Sequence, residues 1–131
     1  MTIALDSNIL IYFFNENPEF VEAARRIVLS IQEGDVQGIA SVLVLGEIMR
    51  KGNDALYRAL VGIRNLSFAP VDSGIALRAA ELQRKHHSLH FVDALHLATA
   101  EAYNAAEFWT NDHALAKATI PGLKIKALRQ A

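Results

Sequence analysis

Short apolar stretches alternate along the chain with longer stretches whose apolar residues recur at helical spacing. The opening run, residues 3–5 and then 9–14, is interrupted by three polar residues and is typical of a buried strand followed by a turn. Further strands are predicted at residues 36–40, 67–71, 107–110 and 124–128, the last of them at an edge of the sheet.

Helices are predicted between these strands, and several have recognisable ends. Asn17 can cap the first, with Pro18 in its first turn, and Gly34 can end it. Ser41 can cap the next helix, which ends by Gly52. The remaining helices are predicted at about residues 53–65, 73–87 and 91–105. Strands that alternate with helices predict an α/β domain with a mostly parallel sheet and helices on both faces.

Composition narrows the classes of protein that this chain can represent. It has 131 residues, no cysteine and a formal net charge of −1. A single core serves chains of ~100–200 residues, so residues 1–131 are expected to form one domain. The absence of cysteine excludes a disulfide framework and favours a cytoplasmic location. No stretch has the apolar length of a membrane span, and a charge near zero requires any polyanion contact to come from a local patch.

Four carboxylates occupy positions where chemistry is expected. In a parallel α/β sheet, ligands bind outside the carboxyl ends of the strands. Asp6 follows the first strand, and Asp112 follows the strand at residues 107–110. Glu47 and Asp93 interrupt helical stretches that are otherwise mostly apolar, where a carboxylate is unfavourable unless it is paired, hydrogen-bonded or bound to a metal.

Taken singly, each of these acids also has a structural explanation. Asp6 can shape a turn, and Glu47 can pair with the cations three and four residues further on. Asp93 can interact with the dipole of its own helix, and Asp112 can cap a short helix. Four acids at one end of one sheet would, however, repel one another unless a cation offset their charges.

The chemistry of the donor set selects the cation. Only oxygen ligands are firmly offered, so that Mg²⁺ or Mn²⁺ is favoured over zinc. Such a cation can lower the pKa of a bound water and neutralise charge on a phosphate. The acid set therefore predicts metal-assisted hydrolysis of phosphodiesters.

Four short blocks of the chain resemble the PIN-domain nucleases, and among them the VapC-like toxins of type II toxin–antitoxin pairs. The blocks read LDSNIL, SVLVLGEI, FVDALHLATA and TND, at residues 5–10, 41–48, 91–100 and 110–112. They occur in the family's order, and the third is a close match. The chain departs from the family after the fourth acid, where residues 113–115 replace a charged residue and an aromatic.

The resemblance implies a three-layer α/β/α PIN-like domain with endoribonuclease activity that depends on Mg²⁺ or Mn²⁺ and uses metal-bound water. Its catalytic and metal-binding residues would be Asp6, Glu47, Asp93 and Asp112. Ser7, Asn8 and Thr110 would orient these acids through hydrogen bonds.

Other polar residues have more than one interpretation. Arg50 and Lys51 can neutralise Glu47 or contact RNA phosphates. His96, one helical turn after the third acid, is expected to pack or hydrogen-bond rather than to bind metal. The histidines at residues 86, 87 and 90 would allow an acid–base ribonuclease or a zinc site, although a solvated helix end is the simpler interpretation.

The resemblance also implies partners, namely an RNA substrate, a second copy of the chain and a small antitoxin protein. Residues 9–14 and the helical face of residues 20, 24, 27 and 31 hold more apolar groups than one small helix and strand readily bury. A homodimer is expected to use part of this surface. The antitoxin is expected to bring an arginine or lysine to the acids, since a cation there pairs the carboxylates and displaces the metal.

Several other functions compete with this one. Within the same family, a non-toxin nuclease of RNA processing and a catalytically inactive binding module stay open. A signalling receiver needs an acidic pair after the first strand, where Asp6 stands alone. A haloacid-dehalogenase phosphatase needs a second aspartate two residues later, where Asn8 is found.

Overall fold

The computed structural model describes residues 1–128, which contain five strands and seven helices. The strands are β1 (Thr2–Leu5), β2 (Gln37–Ser41), β3 (Leu66–Ala69), β4 (Glu107–Thr110) and β5 (Lys124–Ala127). The helices are α1 (Ser7–Asn15), α2 (Val21–Gln32), α3 (Val42–Met49), α4 (Asp54–Val61), α5 (Ser73–Lys85), α6 (Phe91–Ala102) and α7 (His113–Ala116). None of these helices has the length and apolar character that crossing a membrane requires.

The strands form one parallel sheet in the order β3-β2-β1-β4-β5, with β1 at its centre. Ala4 lies opposite Ile39 on one side and opposite Phe108 on the other. Because the strands are parallel, the residues that follow β1, β2 and β4 leave the sheet at the same edge. We call this the carboxyl edge.

Two apolar clusters cover the two faces of the sheet, which confirms the predicted three-layer α/β/α arrangement. Successive residues of a strand point to opposite faces, so that Ala4 enters one cluster while Ile3 and Leu5 enter the other. The Ala4 cluster includes residues of α5, α6 and α7, such as Leu97. The opposite cluster includes residues of α1 to α4, such as Val28.

The strand predicted at the opening of the chain is confirmed, but the segment that follows it, where a turn was predicted, is helix α1, and residues 9–14 form most of this helix. The Asp6 side chain caps this helix by accepting a hydrogen bond from the Ser7 backbone N–H. Ile9 and Leu10 are fully buried, whereas the aromatic residues that follow them pack at the margin of the same cluster. Tyr12 stacks on the ring of Phe20 at a centroid distance of 5.0 Å.

The predicted helix ends are largely confirmed. Ser41 and Asp72 cap α3 and α5 through their side chains, and Gly34 follows α2 with a φ of +84°, a left-handed conformation that favours glycine. Asn17 instead caps a turn that precedes α2. Its Oδ1 accepts hydrogen bonds from the backbone N–H groups of residues 19 and 20, and the helix begins at Val21.

The apolar face that was expected at a dimer interface is mostly internal. Ala24 and Ile31 have no exposed surface, because α2 packs against α1 and the sheet. The expectation that this face is available to a second copy is therefore wrong for these residues. The exposed apolar side chains of the described residues include Val42, Phe91 and Val92, at the first turns of α3 and α6, which are 40–42% exposed.

Candidate metal centre at the carboxyl edge

Asp6 is the most buried of the four acids, with 5% of its surface exposed. It directly follows β1, and its Oδ1 accepts a hydrogen bond of 2.8 Å from the Ser7 backbone N–H. Its Oδ2 accepts one of 2.7 Å from the Thr110 hydroxyl, with Asn8 Nδ2 at 3.5 Å. Burial raises the pKa of the Asp6 carboxyl above its usual range, although these donors oppose the shift. The hydrogen bonds expected of Ser7, Asn8 and Thr110 are therefore present. The part that these three residues play in catalysis stays a prediction.

Asp112 lies beyond the end of β4 and caps the short helix α7. Its Oδ1 accepts hydrogen bonds from the backbone N–H groups of Ala114 and Leu115, at 2.8 and 3.2 Å. Its own backbone N–H donates to Thr110 Oγ1 at 2.9 Å. The capping role expected of Asp112 is confirmed, and α7 forms despite the departure from the family pattern at residues 113–115.

Glu47 lies on α3 and is held by a histidine rather than by its neighbouring cations. Its Oε1 is 2.8 Å from His96 Nε2. Among residues 1–128, neither Arg50 nor Lys51 comes within ion-pair distance of Glu47. The hydrogen bond from His96 lowers the pKa of the Glu47 carboxyl despite partial burial, and the positive charge of Arg50 lowers it further from a longer distance.

Asp93 stands in the first turn of α6. Its Oδ2 accepts a hydrogen bond of 3.3 Å from the His90 backbone N–H, so the role expected of it at the helix start is present. Burial raises the pKa of the Asp93 carboxyl, and the negative charges of Asp6 and Asp112 raise it further. Asp93 therefore lies in the electrostatic field of two other acids from two other strand ends.

The structure brings the four acids to one edge but does not close them into a chelate. Within the described part of the chain, no three His, Asp or Glu side chains converge tightly enough to hold a metal ion as they stand. Mutual repulsion of the carboxylates favours this spacing. The donor set consists of carboxylate oxygens, which fits Mg²⁺ or Mn²⁺.

His96 is the residue of this edge that sequence reasoning left out of the site. Its ring is buried, with 2% of the residue exposed, and lies between two of the acids. Nε2 is 2.8 Å from Glu47 Oε1 and 4.0 Å from Asp6 Oδ1, while Nδ1 is 3.0 Å from Ser41 Oγ. The signal in the sequence was a histidine one turn after Asp93, within an otherwise apolar stretch of α6.

A groove of about 520 Å³ runs beside Glu47 between α1, α3 and α4. Arg50 and Lys51 line it together with apolar side chains, among them Ile11 and Phe14. The groove thus combines two cations with an apolar wall directly next to an acid of the candidate centre.

The loop that carries Asp112 is tied to α1 by Asn111. The Asn111 backbone N–H donates to Asn8 Oδ1 at 3.3 Å, and its side-chain amide donates to the Tyr12 hydroxyl at 3.0 Å. Asn111 therefore connects the segment after β4 with α1. His86 and His90 are the cap residues that follow α5 and precede α6, as the helix-end interpretation predicts. The expected solvation does not hold for His86, whose Nε2 is buried without a hydrogen-bond partner among the described residues.

The comparison with protein families gives the class of protein. The PIN domain family profile matches residues 3–120, which is most of the chain. The chain belongs to the PIN domain family. The parallel sheet and the acids at its carboxyl edge agree with the resemblance of the four sequence blocks. A sequence comparison with curated proteins finds no match.

Solved structures share the fold over nearly the whole chain. The toxin–antitoxin complex from Klebsiella pneumoniae is 22% identical, with a TM-score of 0.69, covering 92% of this chain and 94% of that one. VapBC2 from Rickettsia felis, bound to a promoter DNA fragment, is 19% identical, with a TM-score of 0.72 and coverage of 98% and 99%. Mycobacterium tuberculosis VapC20, a toxin that cleaves the sarcin–ricin loop, is 20% identical, with a TM-score of 0.71 and coverage of 93% and 98%.

Proposed function

We propose that this chain is a Mg²⁺- or Mn²⁺-dependent endoribonuclease and the toxin of a toxin–antitoxin pair, acting in the cytoplasm. The observation that carries the proposal is the electrostatic coupling of acids from separate elements. Burial raises the pKa of the Asp93 carboxyl, and the charges of Asp6 and Asp112 raise it further, as expected of carboxylates that share one site. Such a cluster is unfavourable in a folded protein unless it binds a cation.

Asp6, Glu47, Asp93 and Asp112 would hold the cation. When bound, it would lower the pKa of a water and neutralise charge on the scissile phosphate. The chain's own residues would position the ligands. The Thr110 hydroxyl fixes Asp6 and the backbone of Asp112 together, and His96 fixes Glu47.

The RNA backbone would lie along the groove beside Glu47. Arg50 and Lys51 line this groove without pairing with Glu47 at ion-pair distance, so their charges are available to phosphates. The net charge of −1 makes such a local patch necessary, because a chain that is close to neutral offers no general attraction for a polyanion.

The same groove would receive a segment of a small antitoxin. Its apolar side chains, Ile11, Phe14 and Leu56, offer contacts that a helix or an extended peptide could bury. An arginine or lysine of that segment would then reach the acids and pair with them. The fold shared with toxin–antitoxin complexes from Klebsiella pneumoniae and Rickettsia felis supports this assignment.

A homodimer would use the exposed apolar side chains at the first turns of α3 and α6. Val42, Phe91 and Val92 are each about two-fifths exposed, and an interface between two copies would bury them. A dimer built on this face would set two carboxyl edges near each other.

The proposal is tested by incubating the purified protein with total RNA. Cleavage should require Mg²⁺ or Mn²⁺, stop with a chelator, and disappear in Asp6→Asn. Asp35→Asn is the matched control, because Asp35 is exposed and precedes β2 at the opposite edge of the sheet. Cleavage by Asp6→Asn at the rate of the unsubstituted protein would contradict the assigned centre.

The toxin assignment needs a separate experiment. The chain is expressed alone and together with the small gene that neighbours it. Growth arrest by the chain alone, with rescue and co-purification when both are expressed, is the expected result. Harmless expression of an RNA-cleaving protein without a partner would leave a nuclease of RNA processing as the function.

A further inference from the structure

The ring of His96 is fixed from both sides. Both ring nitrogens have partners on other elements. Nδ1 lies 3.0 Å from Ser41 Oγ at the end of β2, and Nε2 lies 2.8 Å from Glu47 Oε1 on α3. These partners are 55 and 49 positions away in the chain, so the tertiary fold sets the orientation of the ring. A ring flip would break both hydrogen bonds.

The Glu47 carboxylate determines that Nε2 of His96 carries a proton. A carboxylate only accepts hydrogen bonds, so the Nε2–H group donates to Glu47 Oε1. On the other side of the ring, Ser41 is 3% exposed, and its Oγ accepts a hydrogen bond of 3.1 Å from the Leu43 backbone N–H as the cap of α3. Its second contact in the described part of the chain is with His96 Nδ1, and this contact fixes the ring from that side.

We infer that His96, set by Ser41, is a positioning residue that aims the Glu47 carboxylate at the metal centre. The hydrogen bond fixes Oε1, and the carboxylate keeps further acceptor positions that a cation can use. His96 Nε2 also lies 4.0 Å from Asp6 Oδ1, so the ring sets the spacing between the first and second acids. This inference rests on the proposed metal centre. It means that α6, which carries Asp93, also orients Glu47 on α3 through His96.

A merely structural role for His96 makes a different prediction. In that case the ring would only satisfy buried polar groups, and its loss would lower stability without changing the affinity for a cation. The affinity for Mn²⁺, measured by electron paramagnetic resonance on the full chain, separates the two roles without relying on RNA cleavage.

Three variants make the test specific. His96→Leu removes the donor at similar volume, and Mn²⁺ affinity should fall about 10–100-fold, as for other partners that orient metal ligands. His96→Gln keeps an N–H donor and should recover most of that loss. Thr99→Val is the matched control. Thr99 is equally buried on α6, but its hydroxyl donates to the Leu95 carbonyl of the same helix, so Mn²⁺ affinity should not change.

A measurement on the unsubstituted protein does not depend on whether any variant folds. Nitrogen-15 correlation spectra of the metal-free chain should show a proton on His96 Nε2. A ring without a proton on Nε2, or unchanged Mn²⁺ affinity in folded His96→Leu, would overturn the positioning role while leaving the metal centre intact. If the unsubstituted protein bound no Mn²⁺, the proposed metal centre would fail and the inference with it.

Discussion

The Thr110 hydroxyl donates a hydrogen bond of 2.7 Å to Asp6 Oδ2 across 104 positions of the chain. The hydroxyl oxygen of Thr110 also accepts a hydrogen bond from the backbone N–H of Asp112. One hydroxyl, fully buried at the end of β4, thus connects the first and fourth acids of the candidate centre. Because β1 and β4 are parallel neighbours, this contact is a direct consequence of the sheet order.

Thr110→Val is expected to lower both stability and activity. The substitution keeps the shape of the side chain but leaves a buried carboxylate oxygen and a backbone N–H without their partner, at about 1–3 kcal/mol. Thr110→Ser keeps the hydroxyl and should retain most of both properties. Urea denaturation beside an RNA cleavage assay checks the pair. Equal activity of the two variants at equal folded fraction would exclude a positioning role for this hydroxyl.

Asp93→Asn separates chemistry from folding. Activity should fall by orders of magnitude, whereas the metal-free protein should be at least as stable as before, because repulsion from Asp6 and Asp112 is relieved. Asp72→Asn is the control, since Asp72 caps α5 and asparagine also serves as a cap. If Asp93 acted only at its helix start, its replacement would cost ~0.5–1 kcal/mol at most and leave activity unchanged.

The free energy of unfolding should change with pH in the direction set by the raised pKa values of Asp6 and Asp93. A carboxyl whose folded pKa exceeds the usual 3.8 binds more protons in the native state, so its contribution to stability falls as pH rises through that window. Glu47, whose pKa is lowered, acts in the opposite direction below its usual 4.5. In chelator, the stability gained by Asp93→Asn should therefore grow as the pH rises above the usual 3.8 and level off once the pH exceeds the raised pKa of the folded protein.

Denaturation curves of both proteins at several pH values test this expectation. Saturating Mg²⁺ should reverse the comparison, because a ligand that binds the native state stabilises the unsubstituted protein more. A stability difference that did not change with pH would mean that Asp93 is not coupled to the other acids.

The alternation of strands with helices, and the positions of Asp6 and Asp112 after two of the strands, could be predicted because local pattern determines them. Short apolar runs alternating with helices predict a parallel sheet, and Asp6 and Asp112 directly follow two of those runs. Helix α1 could not be recognised in the same way, because Ile9 and Leu10 are followed by three aromatic residues and no polar face gives the segment a helical period. The Asp6 cap was the local signal of its start.

The hydrogen-bonding role expected of His96 is confirmed, but its partners could not be predicted because they depend on tertiary packing. Its partners Ser41 and Glu47 are separated from it by about 50 positions, and only the packing of α6 against β2 and α3 brings them together. The burial of the apolar face of α2 depends on packing in the same way. Sequence alone does not say that Ala24 and Ile31 enter the same apolar cluster as residues of α1 and of the sheet.

Arg50→Gln together with Lys51→Gln should weaken RNA binding without unfolding the protein. Both side chains line the groove beside Glu47. For each of the two cations that contacts a phosphate, its removal should reduce the slope of log K against log salt concentration by about one unit. Arg64→Gln is the control, because Arg64 precedes β3 at the opposite edge of the sheet. Binding of a labelled RNA to a cleavage-deficient Asp93→Asn background, measured over a series of salt concentrations, gives the slopes. Identical slopes would remove Arg50 and Lys51 from the RNA interface.

The chemistry of the RNA ends tests the central claim most directly. Attack by a water at the acid centre should leave a 5′-phosphate and a 3′-hydroxyl, whereas a histidine-based mechanism would use the 2′-hydroxyl and leave a cyclic phosphate. The measurement is sequencing of both ends of RNA cut by the purified protein, with Mg²⁺ and with chelator. We predict 5′-phosphate and 3′-hydroxyl ends that form only with the cation. Cyclic phosphate ends, or full cleavage in chelator, would contradict the account.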